Sequence, residues 1–434
     1  NHGACAATFE LEAEKTGGTA GIESVSVPSS IGVAGAYCAY VDVSVTIAAD
    51  SDPGTTATIE LTASNESDGT CDPVVMETCT ATATVTVVKL EIKGVGFDSD
   101  HGLMRDNNTD YEPTGDLFQE PEWTLGWNHP ISHTMDLSVD ANLIIDVSPP
   151  DMPQFDYQIT CSGPQGFNFD VVVPLESGLN FPDLTSTDKI DKKIQKITQE
   201  LEWEIMKDGY SYLNQATGPH AVYATMGIPR DTGLDQHVVT QKRMERTVTE
   251  VGATGSLDPH IITLIVIQAQ GRYDPDANRP NAWVLPDFPV DHRGDCQTII
   301  RYAGKVLEMS GVPGTFQHVH VYATNGAPNT AIAALIDAPN PTGLCTQLTD
   351  DGYISHPENP TWKLFLEDED GKPNCYEAAA KLTYEGTTKY YPGGVPGAAL
   401  DIPLEVLHLF HALSWFEYEG GTWVKRGVEV IVYP

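Results

Sequence analysis

The first 88 residues alternate apolar and polar side chains with a period of two. Val41, Val43, Val45 and Ile47 are each separated by one polar residue, and Ala81, Ala83, Val85 and Val87 are separated by threonines. Side chains that point alternately to two faces require an extended backbone, so this stretch can bury one face only as sheet strands. Turn-forming clusters at Asp50-Ser51-Asp52-Pro53-Gly54 and Asn65-Glu66-Ser67-Asp68-Gly69 punctuate the runs. Short strands at such spacing predict a β-sandwich over residues 1–88. Val88-Lys89-Leu90-Glu91-Ile92 continues as a strand, and further strands are expected at Leu143–Val147, Phe155–Thr160 and Asn168–Val173. A second sandwich of Ig-like size is therefore expected over residues 89–178.

From residue 179 the spacing changes. Ile190, Ile194, Ile197, Leu201 and Ile205 recur every three or four positions, with Ser186 or Thr187 available as N-cap and Gly209 just beyond. That pattern predicts an amphipathic helix. Asp258-Pro259 supplies a cap and a first-turn proline for the apolar segment His260 to Gln270, read as a buried helix. Asp295-Cys296-Gln297 opens another, in which Ile299, Ile300, Ala303, Val306 and Leu307 share one face and Gly311 closes the end. After Pro313-Gly314, Phe316 to Tyr322 alternates as a strand. The expected architecture is multidomain: two all-β Ig-like sandwiches followed by an α+β domain over residues 179–434.

Charge narrows the partners. The 434 residues carry 24 Lys+Arg against 61 Asp+Glu, a formal net charge of −37. Nucleic acids and anionic membrane surfaces both demand a basic stripe, and this balance argues against them. Hydrophobic residues make up 41%, enough to bury a core. The longest apolar run, Ile261 to Ile267 interrupted by Thr263, is far shorter than the roughly 18 residues of a membrane span. Residues 98–122 hold eight carboxylates and one arginine, and calcium would relieve that repulsion, with Asp98, Asp100, Asp106 and Asp110 as ligands; a solvated acidic loop is the alternative. No other cofactor is indicated.

The start at Asn1-His2-Gly3 is what a chain whose signal peptide has been removed would show. Eight cysteines, at 5, 38, 71, 79, 161, 296, 345 and 375, include no CxxC pair. Cys71 with Cys79 and Cys345 with Cys375 flank short loops and are expected as local disulfides, which favours an extracellular or cell-envelope location.

One segment carries nucleophile chemistry. Arg293-Gly294-Asp295-Cys296-Gln297 places a cysteine in the first turn of a buried helix, where the helix dipole and unsatisfied N–H groups favour a thiolate. Gly294-Asp295-Cys296-Gln297, the helix after it and the Gly311-Val312-Pro313 turn into a strand resemble the transglutaminase-like, papain-related thiol superfamily. The resemblance covers residues 179–434 by organisation, and its specific part is about thirty residues. It implies a histidine on a later strand as base and an aspartate on the strand after that to orient the imidazole.

Two registrations compete. In the first, Phe410-His411-Ala412-Leu413-Ser414-Trp415 supplies His411 as base, with Glu429 as the nearest orienting acid. In the second, Asn374-Cys375-Tyr376-Glu377-Ala378 and the hairpin turning at Gly386 take that place, with no histidine, and the domain is a degenerate relative. His318 and His320 share one strand face and lack a third metal ligand; packing or surface roles are the simpler reading. His220, after Gly218-Pro219, reads as a turn residue.

Two functions follow. One is an exported extracellular or cell-surface assembly protein, such as a filament or surface-layer subunit, with the thiol-fold domain as scaffold. It would associate with itself or with other extracellular proteins, through strands near Ala6–Leu11 or Val428–Tyr433 added to a neighbour's sheet. The other is a secreted thiol acyltransferase or peptidase with Cys296 as nucleophile and His411 as base.

Overall fold

A computed structural model describes the chain except for residues 1–6, 34–39, 65–77, 99–102, 107–112, 118–120, 164–165, 231–238, 270–271, 275–292, 324–330, 336–354, 368–370, 372, 375, 410–412 and 430–434. The described chain is mostly β-sheet, in several sheets, with a few helices between residues 241 and 408.

The alternating N-terminal residues form a four-stranded sheet in the order Ser30–Val33, Ala7–Gly18, Thr56–Ser64, Thr78–Thr86. A two-stranded sheet, Ile22–Ser26 with Ser44–Ile47, faces it. The core between them is small: Ala20, Ala57, Ile59 and Val87 are buried, and Ile22, Val45, Ile47 and Val85 pack around them.

Two larger sheets follow. One runs Trp127–Asn128, Trp123–Thr124, Lys89–Phe97, Asp140–Ser148, Gly178–Asn180. The other runs Ile131–Thr134, Tyr210–Thr225, Gln195–Lys207, Phe155–Ser162, Phe169–Leu175. Their facing side chains make one core in which Leu143, Ile145, Ile159, Leu201, Trp203 and Ile205 are fully shielded. Trp203 keeps its indole N–H satisfied by donating to Thr217 Oγ1 at 2.9 Å. His220, on the same strand as Thr217, is buried beside Phe97, and burial lowers its pKa to about 4.

The helix expected across Ile190 to Ile205 is a strand, Gln195–Lys207. Ile197, Gln199, Leu201, Trp203 and Ile205 are buried in strict alternation with solvent-facing neighbours. The helical spacing arises from passing over Trp203 and from the polar Gln199, which hides one position of the period-two series. Ser186 does not cap a helix; its hydroxyl accepts from Val139 N–H at 2.8 Å and donates to the Asp188 carbonyl at 2.7 Å. Gly209 turns a hairpin. Asp208 and Gly209 have φ of +53° and +81°, the left-handed pair that a two-residue hairpin loop requires. A single sheet therefore joins residues on both sides of position 178, where a domain boundary was expected.

Beyond residue 239 the chain is helical, then β again. Gln241–Ala253 is capped by Thr240, whose Oγ1 accepts from Arg243 N–H, and buries Met244, Val248 and Val251. Pro259–Ala269 matches the expected helix, with Asp258 Oδ1 accepting from His260 N–H at 2.8 Å. Cys296–Met309 is the third, and Gly311 ends it at φ +65°, with Val312 N–H returning to the Leu307 carbonyl.

Thr315–Ala323 is the central strand expected after that helix. It lies in a sheet ordered Ala331–Leu335, Thr315–Ala323, Glu377–Tyr384, Thr387–Pro392. Ala378, Ala380, Leu382 and Tyr391 pack on the three helices. Val319, Val321, Ala379 and Tyr390 face the other way, against Leu364, Trp415 and the short helix Pro403–His408. Trp415 lies in a separate sheet ordered Pro373–Asn374, Trp362–Glu367, Leu413–Glu419, Thr422–Glu429.

Candidate functional site

Cys296 occupies the first position of its helix, with Asp295 as N-cap: Asp295 Oδ1 accepts from Thr298 N–H at 2.8 Å. Packing fixes the sulfur's surroundings. The helix faces His318, His320 and Phe316 from the central strand and Ala378 and Ala380 from the next. Just past the following strand, Thr387–Pro392, Gly393 presses directly on the Cys296 backbone. A Cβ on Gly393 would stand 2.3 Å from the Cys296 carbonyl oxygen and 2.8 Å from its Cα. Gly393→Ala is expected to destabilise the fold by about 2–4 kcal/mol in denaturant titration, because neither backbone segment can yield. Gly32→Ala, with open space around the new methyl, should change little.

A buried carboxyl acts on the Cys296 thiol. Glu377 is wholly shielded from solvent, and its Oε1 accepts from Gly394 N–H at 2.5 Å. The Glu377 carboxyl interacts with the Cys296 thiol, while Oε2 has no hydrogen-bond partner among the described residues. Burial drives the Glu377 pKa up to about 8, offset in part by the amides of Gly394 and Gly393 and raised again by Asp295. At neutral pH the protonated form of this carboxyl therefore predominates.

The same surroundings decide the state of the thiol. A helix N-terminus favours an anion by about 0.3–1 kcal/mol at exposed sites. Burying an unpaired charge costs several kcal/mol. Desolvation therefore wins, and it pushes the Cys296 pKa well above its ordinary value, with Glu377 and Asp295 pushing the same way. The thiolate expected from the helix position is not what this environment stabilises.

Histidines are close but are held neutral. His320 is almost fully buried, its ring 3.9 Å from that of Tyr376, and both ring nitrogens are without a partner among the described residues. Burial, then the Arg301 charge, brings its pKa down to about 4. His318 is likewise held well below the ordinary histidine value, by burial, then His320 and Arg301. Tyr376 accepts from the Gln297 side-chain amide, which closes the polar cluster over the first helical turn.

Of the two hairpins that compete for the base position, Glu377–Tyr384 with Thr387–Pro392 lies against the Cys296 helix. Leu413–Glu419 with Thr422–Glu429 lies in the separate sheet, on the far side of the central strands. His411 lies outside the described residues, and Glu429 is placed by its backbone at the end of that far hairpin.

The calcium expectation is reached only at its edge. Asp98 is exposed, with its N–H donating to the Asp140 carbonyl at 2.9 Å. Asp106 ends the short strand Met104–Asp106, and Asp100 and Asp110 lie outside the described residues. Among the described residues no three His, Cys, Asp or Glu side chains are grouped to hold a metal. Cys79, Cys161 and Cys296 are thiols there; Cys71, Cys345 and Cys375 of the expected disulfides, like Cys5 and Cys38, lie outside the described residues.

Glu377 was not among the expected site residues. Its signal was a lone carboxylate opening Glu377-Ala378-Ala379-Ala380, where three successive alanines read as strand buried on both faces. No protein-family model matches the chain, and no curated protein matches it.

Proposed function

We propose that this chain is an exported extracellular or cell-envelope structural protein, in which Ig-like β-sandwiches precede a transglutaminase-like domain that serves as scaffold. The observation that carries this reading is the pairing of Cys296 with a buried, mostly protonated Glu377 in place of an imidazole. A nucleophilic thiol needs a base that accepts its proton near neutral pH. Glu377 already holds a proton there, and His318 and His320 are kept from taking one. The cluster thus favours a neutral, close-packed joint between helix and sheet.

The acyltransferase or peptidase reading requires the opposite: an ionised sulfur and an entry path for a substrate. The predominance of sheet also suits a load-bearing or lattice-forming role. Assembly is the test. Sedimentation velocity and negative-stain electron micrographs across a wide concentration range should show association into dimers or larger species. Discrete monomers throughout would overturn the assembly role.

A further inference from the structure

Among the described residues, the N-terminal sheet ends in a strand without charge, proline or a further partner strand. Thr78–Thr86 hydrogen-bonds along its whole length to Thr56–Ser64, and no strand lies on its other side among the described residues. Its residues are solvent-exposed throughout, apart from half-buried Val85. Its sequence, Thr-Cys-Thr-Ala-Thr-Ala-Thr-Val-Thr, contains no charge and no proline. Such an edge presents a row of unpaired backbone donors and acceptors, which soluble proteins normally blunt with charge, proline or shortness. Among the described residues, the other outermost strands of six or more residues follow that rule. Phe169–Leu175 carries Asp170 and Pro174, Thr387–Pro392 carries Lys389 and Pro392, and Thr422–Glu429 carries Lys425 and Arg426.

We propose that Thr78–Thr86 pairs antiparallel with the same strand of a second copy, about a two-fold axis at Thr82. The pattern is self-complementary in that register. Thr78 meets Thr86, Thr80 meets Thr84 and Thr82 meets its own counterpart, so one face becomes an unbroken threonine ladder. On the other face Cys79 meets Val85 and Ala81 meets Ala83, all small and uncharged.

Charge argues for this edge as the meeting point of two copies. Each carries a net −37, and residues 1–88 hold twelve carboxylates against Lys15 alone. Two copies repel over most of that module, and a nine-residue neutral strand is where they can approach without opposing like charges. A two-fold contact of this kind closes on itself, so it yields a dimer, and a lattice would be built from such dimers through another surface. The inference rests on the assembly reading and specifies its first contact.

The test uses the full chain with Thr82→Cys and Thr82→Lys. Under mild oxidation or with a short bismaleimide, Thr82→Cys should give a covalent dimer whose peptide map joins position 82 of one copy to position 82 of the other. Thr82→Lys places two ammonium groups opposite each other and should raise the dimer dissociation constant by at least roughly tenfold, with an unchanged circular dichroism spectrum. Thr82→Ser should dimerise as the unsubstituted chain does. A chain that remains monomeric up to about 100 µM would overturn both the pairing and the assembly reading. Association that Thr82→Lys leaves intact, or cross-links from position 82 to residues 7–11 or 428–433 of a neighbour, would overturn the strand pairing alone.

Discussion

Glu377→Gln is expected to remove a pH-dependent destabilisation on the order of 4 kcal/mol that the native chain acquires between about pH 4.5 and pH 8. The folded carboxyl holds its proton up to about pH 8, whereas an unfolded one releases it near 4.5. A raised pKa means that the folded state binds the proton more tightly. The contribution to stability is fully present below 4.5, declines as pH rises and is lost above 8. Glutamine keeps an oxygen acceptor for Gly394 N–H and never ionises.

Stability of the two proteins, measured by denaturant titration at a series of pH values, should therefore be similar near pH 4 and diverge up to pH 9, the substituted chain being the more stable. Because the comparison is between two chains with otherwise identical charge, general repulsion from the excess carboxylates cancels. Parallel curves would show that Glu377 is neither buried nor protonated as described. The buried histidines act in the opposite sense. With pKa values lowered to about 4, His220 and His320 contribute stability that is present above their unfolded value near 6.5 and lost as pH falls through 4.

Cys296 should react with iodoacetamide at least roughly a thousandfold more slowly in the folded chain at pH 7.5 than in the denatured chain, where its thiol is free to ionise. Two barriers multiply. The thiol is shielded by the helix, Gly393 and Glu377, and its pKa is raised by burial and by two carboxyls. Modification then proceeds through local opening, at a rate set by the opening free energy. Mass mapping after brief exposure, with and without denaturant, measures the ratio for that one peptide. Cys161, also buried and with its pKa pushed up to about 12, provides an internal comparison within the β-core. Native-state labelling of Cys296 faster than of the unfolded thiol would mean a stabilised thiolate, and would restore the enzymatic reading.

Much of the β organisation was legible because one-sided burial imprints a period of two. Leu143 to Val147 and Phe155 to Thr160 alternate cleanly and fold as expected. The segment 195–207 misled because its alternation includes a buried glutamine, and its Ile197, Leu201 and Ile205 fall at helical intervals with Ile190 and Ile194 before it. The helix Gln241–Ala253 went unread although Met244, Val248 and Val251 carry the right spacing and Gly255 follows its end; its start lacks the aspartate cap that marked the two later helices.

At the site, the position of Cys296 was legible from its cap and its apolar helix. Its reactivity was not, because the dipole is a local property and desolvation is a tertiary one. Only the fold brings Glu377 and Gly393, some eighty and ninety-seven positions away, against the same sulfur-bearing turn.

The hairpin formed by Gln195–Lys207 and Tyr210–Thr225 serves two interiors at once. Val222 and Ala224 face the sandwich core, while Tyr223 between them packs with the helices. Just before the hairpin, Ile194 belongs to the helical core as well. A strand shared in this way makes the second sandwich and the helices a single cooperative unit. Peeling it off strips shielding from both interiors together, so neither can be melted, excised or exchanged for another module while the other stays intact.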